Sequence, residues 1–166
     1  GRTTLVGLVG VDVQAKLLTT LIEQFGISSI LINDSSRPTT HKMRFVVCNQ
    51  QIVRVDNESR VALGPEYVRE LMSVLTDVSE TADAFIISDY AKGVVSSELV
   101  ELVVELAHGR PVIADPKHGD FRRYRGVTIT TPNVSEVEIA TRVGIDPTTS
   151  AMEILPLLEG GSLLIT

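Results

Sequence analysis

Short apolar runs alternate with longer segments in which apolar residues recur at helical spacing along most of the chain. The runs are rich in Val, Ile and Leu and have the length of strands. Alternation of this kind, with short polar connections, predicts an α/β fold in which helices cover a parallel sheet. The predicted strands are Thr4–Val9, Ser29–Ile32, Ala84–Ile87, Pro111–Ala114, Val127–Thr130 and Leu163–Ile165.

Helices are predicted between these strands. From Val13 to Phe25 apolar residues recur at helical spacing, and Gly26 is a natural helix stop. Ser96 is a favourable N-cap for a helix that runs through Ala107, and Gly109 is a natural end for it. The other predicted helices run from Leu63 to Val78, from Asn133 and from Thr148.

A β-hairpin is predicted between Thr40 and Asp56, where the alternation of strands and helices is interrupted. Its strand-like arms are His41–Val47 and Ile52–Asp56. The turn is either Asn49-Gln50-Gln51 or Asn49-Gln50, and the sequence leaves this one-residue choice open. A hairpin inserted in an α/β domain usually stands off the sheet as a flap, and residues 40–56 are called the lid below.

The two faces of the lid differ in chemistry. Lys42 and Arg44 share one face of the first arm. The three-residue turn brings Arg54 and Asp56 to this basic face, whereas the two-residue turn puts them opposite it. The basic face either protects an exposed edge or meets an anionic substrate. The apolar face needs a partner, and a second copy of the lid is the simplest one. The apolar residues are Met43, Phe45, Val47, Val53 and Val55.

Composition narrows the functional classes. The net charge of −6 argues against a general nucleic-acid binder, which is usually basic. Cys48 is the single cysteine, which excludes an internal disulfide framework, and the three histidines show no metal-ligand spacing. The apolar runs are too short to span a membrane and no signal peptide is present, so we expect a cytoplasmic protein. The sequence stops at Thr166 within strand-like residues, so we expect a piece of a longer protein.

Candidate chemistry follows the predicted strands, because ligands of open parallel sheets bind beyond the carboxyl ends of the strands. Ser88-Asp89-Tyr90-Ala91-Lys92-Gly93 offers Lys92 as a cation for phosphate, or it is a solvated loop with a turn glycine. After the next strand, Lys117 is a second possible phosphate cation. Asp115 lies where a strand end meets the ligand crevice, or it forms a simple turn with Pro116.

The next strand leads into Thr131-Pro132-Asn133-Val134-Ser135-Glu136. Asn133 can cap the following helix, whose positive dipole end attracts phosphate. Glu136 either closes a capping box or holds a magnesium ion through water, and spacing alone favours the capping box. The sequence has no G-x-G-x-x-G fingerprint, no Walker-type phosphate loop and no nucleophile elbow.

Six motifs occur in a fixed order over nearly the whole chain. They are Leu8-Val9-Gly10-Val11-Asp12, Arg37-Pro38-Thr39-Thr40-x-Lys42-x-Arg44, Asn49-Gln50-Gln51-x-x-Arg54-x-Asp56-x-Glu58, Ser88-Asp89-Tyr90-Ala91-Lys92-Gly93, Asp115-Pro116-Lys117-x-Gly119-Asp120-Phe121-x-x-Tyr124-x-Gly126 and Thr131-Pro132-Asn133-x-x-Glu136. Together they resemble the kinase domain of the bifunctional heptose 7-phosphate kinase / heptose 1-phosphate adenylyltransferase, in the PfkB-type ribokinase-like superfamily. The resemblance implies that residues 1–166 form an incomplete ribokinase-like domain. Its mostly parallel sheet would carry helices on both faces, and its inserted β-hairpin lid (40–56) would also form a homodimer.

The implied reaction transfers the γ-phosphate of ATP, with Mg²⁺, to the anomeric hydroxyl of a sugar phosphate. The substrate would be D-glycero-D-manno-heptose 7-phosphate and the product its 1,7-bisphosphate, a precursor of ADP-heptose and the lipopolysaccharide core. In the resemblance Glu136 belongs to an N-x-x-E motif and holds Mg²⁺ through water, in place of a plain capping box. The implied nucleotide and magnesium residues are Asn133, Val134, Ser135, Glu136, Asp115 and Lys117. The implied substrate residues are Lys42, Arg44, Arg54, Asp89 and Lys92.

The sequence departs from the family pattern in three places. The family's double-glycine segment and its G-A-G-D motif, which carries the catalytic base, are not in these 166 residues. No catalytic residue is therefore assigned, and we expect this chain by itself to be inactive. His118 stands where the family usually has glycine. Two alternatives remain open: another PfkB-type kinase with a different phosphorylated sugar, and a non-catalytic dimerisation module that uses the lid.

Overall fold

The computed structural model describes residues 1–117, 119–141 and 146–166, which divide into two units, Gly1–Val74 and Leu75–Thr166. His118 lies outside the described residues, so its effect on the loop stays a prediction. The strands are β1 (Thr4–Val9), β2 (Ser28–Asn33), β3 (His41–Val47), β4 (Gln50–Asn57), β5 (Phe85–Ser88), β6 (Val112–Asp115), β7 (Ile129–Thr130) and β8 (Ser162–Leu163). The helices are α1 (Val13–Gln24), α2 (Pro65–Ser79), α3 (Ser97–Ala107), α4 (Val134–Thr141) and α5 (Pro147–Ile154), with short 3-10 helices at Phe121–Tyr124 and Leu155–Leu158.

The predicted α/β fold with parallel strands is confirmed. In the first unit β1 pairs with β2, and in the second unit β5, β6, β7 and β8 form a four-stranded sheet in that order, all in parallel. Among the described strands, the lid pair β3–β4 is antiparallel. None of the described helices is long and apolar enough to cross a membrane.

The core of the second unit lies between its sheet and helices. Burial alternates along β5, where Phe85 and Ile87 are buried while Ile86 is exposed. The core also contains buried residues of α3, β6 and the two short 3-10 helices. Its members are Phe85, Ile87, Val100, Val103, Ala107, Val112, Ala114, Phe121, Tyr124, Val127, Val137, Ile154 and Leu158.

Helix ends follow the polar residues that the sequence places there. Ser96 caps α3 as predicted, and its hydroxyl accepts a hydrogen bond from Leu99 N at 3.2 Å. The last helix, α5, begins one residue before the predicted Thr148, because the Asp146 carboxylate caps it by accepting from Thr149 N at 3.0 Å. Short polar side chains next to an apolar run were therefore reliable signals of helix starts.

Two of the six motifs, the one that ends at Asp12 and the one that contains Thr39, contact each other where the lid begins. The Asp12 carboxylate caps α1 by accepting from Ala15 N at 2.8 Å, and its other oxygen accepts from Thr39 N at 2.8 Å. Gly10 N donates to the Thr39 hydroxyl at 2.8 Å. A Cβ on Gly10 would lie 2.6 Å from the carbonyl oxygen of Arg37, so only glycine permits this approach. These contacts fix where the lid leaves the unit.

The lid turn lies at Cys48-Asn49, so both predicted turns were wrong. The two residues have φ values of 48° and 62°, the left-handed backbone that a two-residue hairpin turn requires. A β-bulge then shifts the register: Phe45 pairs with Val53, but Val46 pairs with Gln51. The bulge compensates for the shorter turn. It places Arg54 and Asp56 on the same face as Lys42 and Arg44, as the three-residue turn would have done.

The lid therefore has one charged and one apolar face. Arg44 lies opposite Arg54, and Lys42 lies opposite Asp56. Lys42 Nζ is 3.3 Å from one Asp56 oxygen and Arg54 Nε is 2.9 Å from the other. The apolar face is open to solvent, with exposed fractions of 41% for Met43, 48% for Phe45, 60% for Val47, 47% for Val53 and 49% for Val55.

Candidate functional site

The parallel order of β5, β6 and β7 brings the loops that follow them to one edge of the second unit. Asp89 N donates to the carbonyl oxygen of Asp115 at 3.0 Å, and Thr131 N donates to that of Ala114 at 2.9 Å. The three loops that the sequence singled out are therefore neighbours. An edge built in this way is where open parallel sheets bind their ligands.

Asn133 and Glu136 form the capping box that their spacing predicts. The expectation drawn from the resemblance, metal binding in place of a capping box, was therefore wrong about the box, and metal binding by Glu136 stays a prediction. Glu136 N donates to the Asn133 side-chain oxygen at 2.9 Å, and Asn133 N donates to Glu136 Oε2 at 2.9 Å. The Glu136 side chain is only 9% exposed, so this carboxylate is held in a single place at the start of α4.

Lys117 forms an ion pair with the other oxygen of the same carboxylate. Its ammonium donates to Glu136 Oε1, while half of the lysine side chain stays exposed. The hydrogen bond to Glu136 raises the pKa of Lys117 against the opposing effect of burial, and the negative charges of Glu136 and Asp115 add to the rise. A permanent positive charge therefore lies beside a nearly buried negative one at this edge.

Asp89 anchors the loop that carries Lys92. One of its carboxylate oxygens accepts from Ala91 N at 2.7 Å, and the other accepts from the Tyr124 hydroxyl at 2.6 Å. Asp89 is 3% exposed and Tyr124 is fully buried. The first bond holds a turn in which Ala91 has a φ of 54°. This geometry gives Asp89 a positioning role for the loop, one that sequence reasoning did not foresee.

The sequence did not reveal the role of Tyr124, whose hydroxyl donates to Asp89. Tyr124 is 35 residues from Asp89 in the chain, so no local pattern links the two. A signal was nevertheless present, since a tyrosine buried in an apolar core usually needs a hydrogen-bond partner for its hydroxyl. The remaining candidates, Lys42, Arg44 and Arg54, belong to the first unit, where they share the charged face of the lid.

The edge has the chemistry that a magnesium ion requires. Mg²⁺ prefers oxygen ligands and keeps several of its waters, so one or two carboxylates suffice when phosphates supply further oxygens. The carboxylates here are those of Glu136 and Asp115. The Lys117 ammonium forms an ion pair with Glu136, which shows that a cation can bind beside this carboxylate. Within the described residues there is no group of three or more His, Cys, Asp and Glu side chains that could enclose a metal. A metal held mostly by water and phosphate fits this arrangement.

Solved structures share this fold. Ribokinase from Giardia lamblia matches with a TM-score of 0.71 and 19% identity, over 98% of this chain and 52% of that one. Phosphofructokinase-2 from Escherichia coli, in complex with potassium, matches with a TM-score of 0.73 and 15% identity, over 99% and 55%. The fold is therefore that of the ribokinase-like sugar kinases. No family model matches the sequence.

A closer relationship appears in the sequence itself. The bifunctional protein HldE of Gluconacetobacter diazotrophicus is 41% identical over 149 residues, which cover 88% of this chain and 31% of that protein. The chain is therefore a homologue of part of bifunctional protein HldE, and it has the fold of ribokinase and phosphofructokinase-2. It spans about a third of the length of the curated relatives that it matches.

Proposed function

We propose that this chain supplies the nucleotide- and magnesium-binding part of a kinase that transfers the γ-phosphate of ATP to a sugar phosphate. The observation that carries the proposal is the meeting of Lys117, Glu136 and the start of α4 at the carboxyl edge of the parallel sheet. Phosphoryl transfer depends on positioning and on charge stabilisation, and these groups would contribute to both at the nucleotide phosphates. Magnesium, when bound, would neutralise charge on the transferred phosphate.

In this proposal Glu136 holds the metal through water, with Asp115 nearby. Lys117 and the positive end of the α4 dipole, at Asn133, Val134 and Ser135, bind the nucleotide phosphates. The sugar phosphate is D-glycero-D-manno-heptose 7-phosphate, and it is converted to the 1,7-bisphosphate on the route to ADP-heptose and lipopolysaccharide. The ordered motifs and the identity to HldE support this choice. The residues proposed to bind the sugar phosphate are Lys42, Arg44 and Arg54 of the first unit and Lys92 of the second. Asp89, which is also proposed for this site, would act by positioning the loop that carries Lys92.

A turnover assay tests the proposal. ATP-dependent phosphorylation is measured for this chain and for the protein extended at both ends to the length of its relatives. We expect only the extended protein to turn over, because these 166 residues contain no G-A-G-D motif. Heptose 7-phosphate should be preferred over fructose 6-phosphate. Turnover of another sugar phosphate instead would reassign the substrate within the class, and an extended protein that binds no ATP would contradict the kinase function.

We also propose that the apolar faces of two lids form a homodimer. Phe45 and Val53 are directly opposed and both are about half exposed. The double variant Phe45→Asp/Val53→Asp is therefore expected to be monomeric by sedimentation at concentrations at which the unaltered chain is dimeric. The matched control, Arg44→Ser/Arg54→Ser, alters the opposite face of the same register and should remain dimeric. A dimer that survives both charges would exclude the lid face as its interface.

A further inference from the structure

Both oxygens of the Glu136 carboxylate are engaged, and their partners differ in kind. Oε2 accepts from the backbone N–H of Asn133 at 2.9 Å, as part of the cap of α4. Oε1 accepts from the ammonium of Lys117. An ammonium of the chain itself therefore lies at the oxygen that a metal-bound water would approach.

We propose that Lys117 and a divalent cation exchange at Oε1 of Glu136, so that arrival of the metal releases the lysine ammonium. The release delivers that ammonium to the nucleotide phosphates, and this second half rests on the proposed function. Lys117 is then more than a phosphate ligand, because it holds the carboxylate in place until the metal replaces it.

The exchange takes place at Oε1 because the two partners differ in how easily they leave. Breaking the contact with Asn133 N would leave that N–H without its partner and undo half of the capping box, which the Glu136 N–H and the Asn133 side chain complete. The Lys117 side chain is 50% exposed, so its ammonium can leave Glu136 and become fully hydrated at little cost. A divalent cation held through water at this oxygen and an ammonium on the same oxygen would repel each other, so each weakens the binding of the other.

The position of Lys117 makes the released charge useful. It follows β6 directly, between the loop that starts at Asp89 and the start of α4. A flexible four-carbon side chain can move its ammonium over several ångströms while the backbone stays fixed. Metal binding and phosphate binding then reinforce each other through one side chain.

Binding of Mn²⁺, a paramagnetic stand-in for Mg²⁺ with the same preference for oxygen, tests the exchange in the full chain. Free Mn²⁺ is counted by electron paramagnetic resonance. Lys117→Met removes the competitor, so Mn²⁺ should bind roughly fivefold more tightly, the equivalent of losing one partly exposed ion pair. Lys117→Arg should leave the affinity close to that of the unaltered chain, because it keeps the charge. Lys117→Gln replaces the Met variant if that variant fails to fold.

Two controls separate the exchange from a general change of charge. Arg125→Met removes one positive charge and one exposed ion pair, with Glu159, from the same unit, and should not change Mn²⁺ affinity. Adding Glu136→Gln to Lys117→Met should abolish the gain. The proposal is overturned if Lys117→Met binds Mn²⁺ with the same affinity as the unaltered chain or does not bind it at all. It is also overturned if the gain in affinity persists when Glu136→Gln is added.

Addition of ATP distinguishes this proposal from the kinase function on which it rests. ATP should raise Mn²⁺ affinity in every variant, because phosphate oxygens bind the metal directly. The rise should be larger in the unaltered chain than in Lys117→Met, because the released lysine adds a second coupling between the two ligands. A purely structural role of Lys117 would instead weaken Mn²⁺ and ATP together, and that result contradicts the exchange. If ATP binds to no variant while the Mn²⁺ gain is observed, the exchange stands and the kinase function fails.

Discussion

Replacing Asp34 with Ala is expected to lower the free energy of unfolding of the first unit by about 3 kcal/mol. Asp34 is fully buried after β2, and one of its oxygens accepts from the backbone and the hydroxyl of Ser36. The other oxygen is 2.7 Å from Nε of Arg37, whose side chain is only 8% exposed. Removing the carboxylate takes this counter-charge away from a nearly buried guanidinium, which costs far more than loss of a surface pair.

Chemical denaturation of the full chain checks this value. Arg125→Ala is the matched control, because it breaks an ion pair with Glu159 in which both side chains are at least half exposed. That control should change stability by less than about 0.5 kcal/mol. A loss for Asp34→Ala as small as that of the control would mean that the buried pair contributes nothing.

The same carboxylate predicts how stability depends on pH. Burial opposes the charged form of Asp34, but hydrogen bonds donated by Ser36 and Arg37 outweigh it and hold the pKa below its ordinary value of 3.8. A carboxylate with a lowered pKa stabilises the folded state at neutral pH, and this contribution is lost as the pH falls through the lowered value. The unaltered chain should therefore lose stability below about pH 4, and Asp34→Ala should lose less over that range.

Replacing Glu136 with Gln in the extended protein is expected to lower kcat by about 100-fold, the usual upper range for a group that holds a metal through water. The change removes the negative charge that would hold the metal. A glutamine can still accept from Asn133 N, and a capping box accommodates either residue. The helix cap, and with it the melting temperature, should therefore stay nearly unchanged.

Glu138→Gln provides the comparison for this variant. Glu138 lies in the same helix and is exposed, so the change of charge is identical and turnover should be retained. Excess Mg²⁺ should restore part of the activity of Glu136→Gln, since the lost contribution is affinity for the metal. If Glu136→Gln keeps full activity at limiting Mg²⁺, Glu136 does not hold the metal and its role is only to cap α4.

Much of the fold could be predicted because local chemistry decides it. Ser96 caps α3 and the Asn133–Glu136 spacing forms a capping box, since both involve hydrogen bonds within one helical turn. The parallel direction of the strands followed from the alternation of strands and helices. For the same reason the three loops of the candidate site could be expected at one edge.

Features that depend on distant residues could not be predicted. Helical spacing marks Leu17, Leu21 and Ile22 alike, yet Ile22 is buried while Leu17 is 60% and Leu21 is 50% exposed. Periodicity defines an apolar face without showing how much of it is covered. The hydrogen bond between Asp89 and Tyr124 joins a loop to a short 3-10 helix far away in the sequence. The lid turn has two positive φ values, which its residue types only weakly indicate.

Hydrogen exchange on the extended protein, with and without ATP and Mg²⁺, tests the location of the nucleotide site most directly. We expect protection of residues 89–93, 115–117 and 133–137, and its loss in Glu136→Gln. The first unit offers a rival location, an open cleft of about 590 Å³ lined in part by Lys16, Thr19 and Asn33. Protection confined to that cleft, with none at the loops after β5, β6 and β7, would contradict the assignment of the nucleotide to the edge around Glu136.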